Sequence, residues 1–134
     1  MLLLDTHAIL WLDNGDPLSA AAHEAIRRAA PAGGVLVSPV SAWEIGLLVS
    51  KHRLALDLEP VAWFRRFLRV AGIRLTPLTV EVAAGCCVLP EPFHGDPADR
   101  MLVATARACD VPLVTRDRRI LDYAASGVIR TIGC

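Results

Sequence analysis

Five short, largely apolar runs recur along the chain, at residues 2–4, 35–37, 73–75, 112–114 and 128–132, each bounded by turn-forming residues. Runs this short are unsuited to helices but suit strands hidden on both sides. Between them, apolar residues recur at helical spacing over residues 7–12, 18–30, 40–52, 60–71, 79–88, 97–109 and 117–124. Strands that alternate with helices need crossover connections, so they run parallel, with helices over both faces of the sheet. The expected fold is one α/β domain around a short central parallel sheet. With 134 residues, 54% of them hydrophobic, the chain can bury a core without disulfide staples. No repeat or composition shift divides it. Ligands in such sheets bind beyond the carboxyl ends of the strands, so the residues there come first.

Charge excludes one class of function. Lys and Arg number 14 against 14 Asp and Glu, and the pI is near 6.9, far from the basic footprint of an ordinary nucleic-acid-binding module. The basic residues are nevertheless all Arg except Lys51, which supplies bidentate donors for phosphates or carboxylates. Cys86, Cys87, Cys109 and Cys134 show no zinc-site spacing. No signal-peptide pattern or apolar run of about 18 residues occurs, so a cytoplasmic protein with reduced thiols and no membrane contact is expected. The apolar fraction points to exposed apolar surface and a two-fold homodimer.

The chemistry-bearing residues are acids. Asp5 directly follows the first run, where a carboxylate either caps the next helix or faces a site at the end of a central strand. Glu44 is the only charge between Arg28 and Lys51 and shares a helical stripe with Val40, Trp43, Leu47 and Leu48. A carboxylate there requires a basic partner such as Arg53, a solvent-facing turn, a proton or a metal. Asp96, before Pro97, has the pattern of an N-cap, and Asp99 falls in the first turn of the same helix. Capping is the expected role of Asp96, whereas Asp99 is open between helix dipole and ligand. Asp117, after the fourth run, either caps the last helix or joins the others.

Four acids gathered at one end of a sheet repel one another unless cations neutralise them. Magnesium-dependent phosphodiester hydrolysis needs such oxygen ligands, with manganese a workable substitute. Zinc is not favoured without histidine or cysteine clusters. Arg100 beside Asp99, and Arg116, Arg118 and Arg119 around Asp117, are placed to contact phosphates.

The segments LLLDTH, SAWEIG, HGDPADRMLVATA and LVTRDRRI, in this order across nearly the whole chain, resemble the PIN domain, specifically the VapC-type toxins of prokaryotic type II toxin–antitoxin pairs. The resemblance implies a magnesium-dependent endoribonuclease leaving a 3′-hydroxyl and a 5′-phosphate. Its acidic quartet corresponds to Asp5, Glu44, Asp99 and Asp117, with Asp96 as an additional nearby acid. It also implies a VapB-type antitoxin whose C-terminal segment lays a helix in a groove beside Trp63 and Phe67 and sends a basic side chain into the acidic site. Ala98 and Thr105 stand where the family often has an aromatic and Gln, which affects local packing and leaves the quartet intact.

Other features have plain readings. His7, His23, His52 and His94 are too scattered for a ligand set, with His94 at most a supporting or phosphate contact. Cys86 and Cys87 read as small apolar residues. Residues 60–71 set Trp63, Phe64, Phe67 and Leu68 opposite Arg65, Arg66 and Arg69, an ordinary amphipathic helix or, alternatively, a partner's seat. Two rival functions fit the acids: an aspartate-nucleophile phosphatase acting through Asp5, and a binding module whose carboxylates only cap helices.

Overall fold

The computed structural model describes residues 1–134. Strands β1 (Leu2–Leu4), β2 (Val35–Val37), β3 (Ile73–Leu75), β4 (Leu113–Thr115) and β5 (Thr131–Gly133) form one sheet in the order β3-β2-β1-β4-β5. Every neighbouring pair is parallel. The helices are α1 (Thr6–Asn14), α2 (Ala20–Ala29), α3 (Pro39–Ser50), α4 (Pro60–Phe67), α5 (Val80–Gly85), α6 (Pro97–Cys109) and α7 (Arg118–Ala124). The fold is the expected α/β arrangement.

Side-chain alternation along the strands divides the core in two. Leu3, Leu36 and Leu113 point to one face, where they join Val40, Val82, Leu102, Val103 and Ile120. Leu2, Leu4, Val35, Val37 and Val114 point to the other, with Ile9, Ala22, Ile45, Trp63 and Phe67. With both faces covered, the three inner strands are buried throughout while the edge strands are only partly buried. Trp63 and Phe67 stack with ring centroids 5.8 Å apart, and both belong to the core. The helix α4 is thus the ordinary amphipathic helix packed on the core, with Trp63, Phe64 and Phe67 turned inward and Arg65 and Arg66 outward. Trp43, expected on an apolar stripe of α3, is 55% exposed, and Ile45 is the fully buried residue nearby.

Element ends depart from expectation for local reasons. Pro112 has no N–H to give the sheet ladder, so β4 starts at Leu113, while the Pro112 carbonyl accepts from Leu3 N at 2.9 Å. The last strand starts at Thr131 rather than 128. The N–H groups of Ser126 and Gly127 bond back to Tyr123 and Ala124 and prolong the turn after α7. The helix expected over 60–71 ends at Phe67, and 79–88 divides into α5 and a 3-10 turn at Cys86–Val88. All seven α-helices begin with a side-chain cap, from Asp5, Ser19, Ser38, Glu59, Thr79, Asp96 and Asp117.

Two glycines with the same backbone test the packing before β3. Gly72 has φ +88°, and a Cβ there would lie 2.6 Å from the Ala30 carbonyl oxygen, whereas Gly127 has φ +87° and open space around it. Gly127→Ala is expected to cost about 1 kcal/mol for its left-handed backbone alone. Gly72→Ala adds a backbone clash and should cost about 3 kcal/mol or more, lowering Tm by roughly 10 °C in thermal circular dichroism. Equal costs at the two sites would show that the chain before β3 yields freely.

Candidate active site

The strand order places a crossover on each side of β1: the chain steps outward through β2 and β3, then returns across the sheet to β4. The loops after β1 and β4 therefore diverge and leave a crevice between them, the place where open α/β sheets bind ligands. Asp5 leaves the end of β1 and Asp117 follows β4 by two residues. Glu44 reaches the crevice from the middle of α3, and Asp96 and Asp99 from the start of α6. All five line one cavity of about 350 Å³, together with His7, Trp11, Arg116 and Arg119. A larger cavity of about 660 Å³ adjoins it, sharing His7 and Trp11 and walled by side chains such as Leu48, Leu54, Leu56 and Trp63. The carboxylates lie in the smaller one.

Each acid is held by a specific support. Asp5 is 6% exposed; one carboxylate oxygen accepts from Thr6 N and the other from the Thr115 hydroxyl, both at 2.6 Å. The Thr115 oxygen in turn accepts from Asp117 N at 3.1 Å, so one hydroxyl ties the two strand ends together. The Thr6 hydroxyl donates to Glu44 and lies 3.0 Å from the Ser41 hydroxyl. Asp96 accepts from Asp99 N at 3.0 Å, the expected N-cap, with Pro97 next. Asp117 accepts from Arg119 N at 2.8 Å. Thus Asp5, Asp96 and Asp117 cap helices and also face the cavity, whereas Glu44 and Asp99 cap nothing.

Arginine and histidine complete the surroundings. Arg119 reaches Asp117 at 3.2 Å and Asp99 at 3.7 Å. The buried His94 Nε2 lies 3.2 Å from Asp99 but is not aligned for a hydrogen bond. The expected phosphate contacts separate: Arg116 and Arg119 line the cavity, while Arg118 is exposed outside it. Arg100 turns away altogether. It donates to the carbonyls of Cys86, Phe93 and His94 and braces the segment before α6, so its role is structural because its donors are already taken. Arg53 makes no pair with Glu44 and lines the larger cavity instead. His7 and Trp11, four residues apart on α1, were not selected from the sequence. Their i, i+4 spacing behind Asp5 was the available signal.

The charges follow from this crowding. Burial, then the neighbouring Asp96, Asp5, Asp117 and Glu44, push the Asp99 carboxyl up to about 7. Burial also raises Asp5, against the opposing pull of its hydrogen bonds, and raises Glu44, with Asp5 and Asp96 adding repulsion. Burial pushes Asp117 the same way, but Arg119 overcomes it and holds the carboxyl below its ordinary value. Five carboxylates against Arg116 and Arg119, without cysteine, form a donor set suited to a hard cation. No three acidic, histidine or cysteine side chains already stand as a ligand cage.

A folded-state carboxyl raised from its ordinary value of 3.8 to about 7 contributes stability below its unfolded pKa that is lost as pH rises through the folded one. In metal-free buffer, Tm should therefore fall between about pH 4 and pH 7. Asp99→Asn should raise Tm by roughly 3–8 °C at about pH 8 and change it little near pH 4. A variant less stable than the parent at both pH values would show that the Asp99 charge is not opposed by its neighbours.

Comparison with known proteins agrees with this geometry. Residues 2–126 match the PIN domain family. The chain is 36% identical over 124 residues to "Ribonuclease VapC22" of Mycobacterium tuberculosis, spanning 91% of each chain. In fold it is similar to a chain of the Rickettsia felis VapBC2 structure bound to a promoter DNA fragment, with a TM-score of 0.71 at 14% identity over 98% of this chain and 97% of that one. It is likewise similar to a chain of FitAcB from Neisseria gonorrhoeae, with a TM-score of 0.66 at 19% identity over 98% of this chain and 96% of that one. The chain belongs to the PIN-domain family and, within it, to the VapC ribonucleases.

Proposed function

We propose that this protein is a magnesium-dependent endoribonuclease, the toxic component of a type II toxin–antitoxin pair, with Asp5, Glu44, Asp99 and Asp117 as its catalytic carboxylates. The observation that carries this reading is convergence. Four acids from four separate segments line one small cavity at the sheet's crossover point, and two of them, Glu44 and Asp99, have no capping duty to explain them.

These carboxylates would hold the cation, with Asp96 supporting them through the start of α6. Bound magnesium, or manganese in its place, supplies Lewis acidity toward a water nucleophile and charge neutralisation at the phosphoryl group. Thr6 and Thr115 orient the carboxylates, fixing Glu44 and Asp5 through their hydroxyls. Arg119 stands where it can exchange its contacts with Asp99 and Asp117 for a phosphate oxygen. An attack by Asp5 itself, as in an aspartate-nucleophile phosphatase, is disfavoured because Thr6 and His7 follow it, without the second acid such an enzyme carries two positions on.

The related structures of Rickettsia felis and Salmonella typhimurium are described as VapBC bound to DNA. On that basis we assign this chain a VapB-type antitoxin as partner; a homodimer is expected separately, from the apolar fraction of the chain. No helix is long and apolar enough to cross a membrane, and we place the pair in the cytoplasm, where RNA is accessible.

Cleavage of a labelled single-stranded RNA tests the assignment. Asp5→Asn and Asp99→Asn should each lower the rate by ~10³-fold or more, and EDTA should abolish cleavage until magnesium is restored. Full activity in EDTA would end the metal-nuclease reading. Asp96→Asn separates cap from ligand, since Asn caps as well as Asp: the variant should keep most of its activity, while Asp96→Ala should lose about 1 kcal/mol of stability. If Asp96→Asn is as inactive as Asp99→Asn at unchanged stability, Asp96 is a ligand.

A further inference from the structure

Trp11 is the single apolar side chain in an otherwise polar and charged cavity wall, and it stands on the border with the larger cavity. The guanidinium of Arg116 lies over its ring, 3.8 Å from the centroid. Arg116 is also fixed from the side: Nε donates to the Cys134 carbonyl at 2.9 Å, and a terminal nitrogen reaches the Pro17 carbonyl at 3.5 Å. A flexible side chain is thereby locked against an aromatic bed by groups from α1, the 15–19 loop and the chain end. Arg116 is nevertheless exposed, which leaves the outer side of its planar group open to solvent.

This is an uneconomical way to hold a phosphate. Two of the donors that would make a forked contact already face main-chain carbonyls, and Arg119 is nearer the carboxylates where a scissile phosphate would lie. A fixed guanidinium plane backed by an aromatic ring is instead suited to stacking with the face of a nucleobase. It is placed at the rim of the acidic cavity, so a base seated there would belong to a nucleotide beside the bond being cut.

We propose that the Trp11–Arg116 pair is a stacking platform for an unpaired RNA base next to the scissile phosphate, a positioning element that favours single-stranded substrate. The inference rests on the ribonuclease reading above and adds a subsite to it.

Fluorescence anisotropy with labelled hexa-adenylate, and with an abasic ribose-phosphate oligomer of the same length and charge, tests it. Calcium replaces magnesium to screen the carboxylates and leave the RNA intact. The parent protein should bind the base-bearing oligomer roughly 10-fold more tightly than the abasic one. Arg116→Lys keeps the positive charge but not the plane, and should reduce that preference to near unity while leaving abasic binding unchanged. Trp11→Leu should act in the same direction; if it fails to fold by circular dichroism, the exposed Arg116→Lys decides alone. A parent without preference, or a preference that survives Arg116→Lys, overturns the platform and leaves the ribonuclease reading intact. Failure of the parent to bind either oligomer overturns both.

Discussion

Five carboxylates brought together at one end of a small sheet repel one another, and the burial of Asp5 and Asp99 removes the water that would have screened them. Much of the local structure follows from how that repulsion is contained. Asp5, Asp96 and Asp117 each accept a backbone N–H at the start of a helix, so the amino ends of α1, α6 and α7 meet the cluster with their partial positive charge. Threonine hydroxyls add one hydrogen bond each to Asp5 and Glu44. Arg119 settles between Asp99 and Asp117. The balance is uneven, because Asp117 ends below its ordinary pKa and Asp99 well above it.

The scaffold meets this demand through topology. Crossovers in opposite directions from β1 open the crevice, and the ends of β1 and β4 are joined by the Thr115 hydroxyl. The core beneath is continuous on both faces of the sheet. The segment before α6 lacks regular structure but is held by Arg100 and by the Tyr123 hydroxyl, which donates to the Pro90 carbonyl at 2.6 Å. Arg100, which looks available for a phosphate in the linear sequence, thus serves with Tyr123 to fix the loop that carries His94 to Asp99.

The acidic cavity and its larger neighbour share Trp11 and His7, so the carboxylate cluster meets a wider surface of mixed apolar and charged side chains along one face of α1. That adjacency combines the two parts a nuclease requires. A carboxylate cluster can handle the backbone of a nucleic acid only with cations present, whereas rings and guanidinium planes can hold its bases without them. The chain's zero net charge is compatible with such a division, since attraction toward RNA is then local.

How far the sequence reached depended on whether a property is local. Strand runs, helix periods and capping residues depend on neighbours a few positions away. Accordingly the five strands, the seven helices and the N-cap at Asp96 were legible, with departures at element ends: those governed by Pro112, Ser126 and Gly127, the early stop of α4 at Phe67 and the 3-10 turn after α5. The meeting of Asp5, Glu44, Asp99 and Asp117 was legible as well, because three of them border strands or a helix start and the fourth is a lone charge in an apolar stretch. Tertiary structure alone decided which arginines face the cavity, since Arg100, Arg116, Arg118 and Arg119 look alike in the sequence and differ only in which carbonyls and rings lie within reach. It likewise decided that Trp63 and Phe67 are buried while Trp43 is exposed. Periodicity marks an apolar face, but only the packing of distant segments determines whether that face is covered.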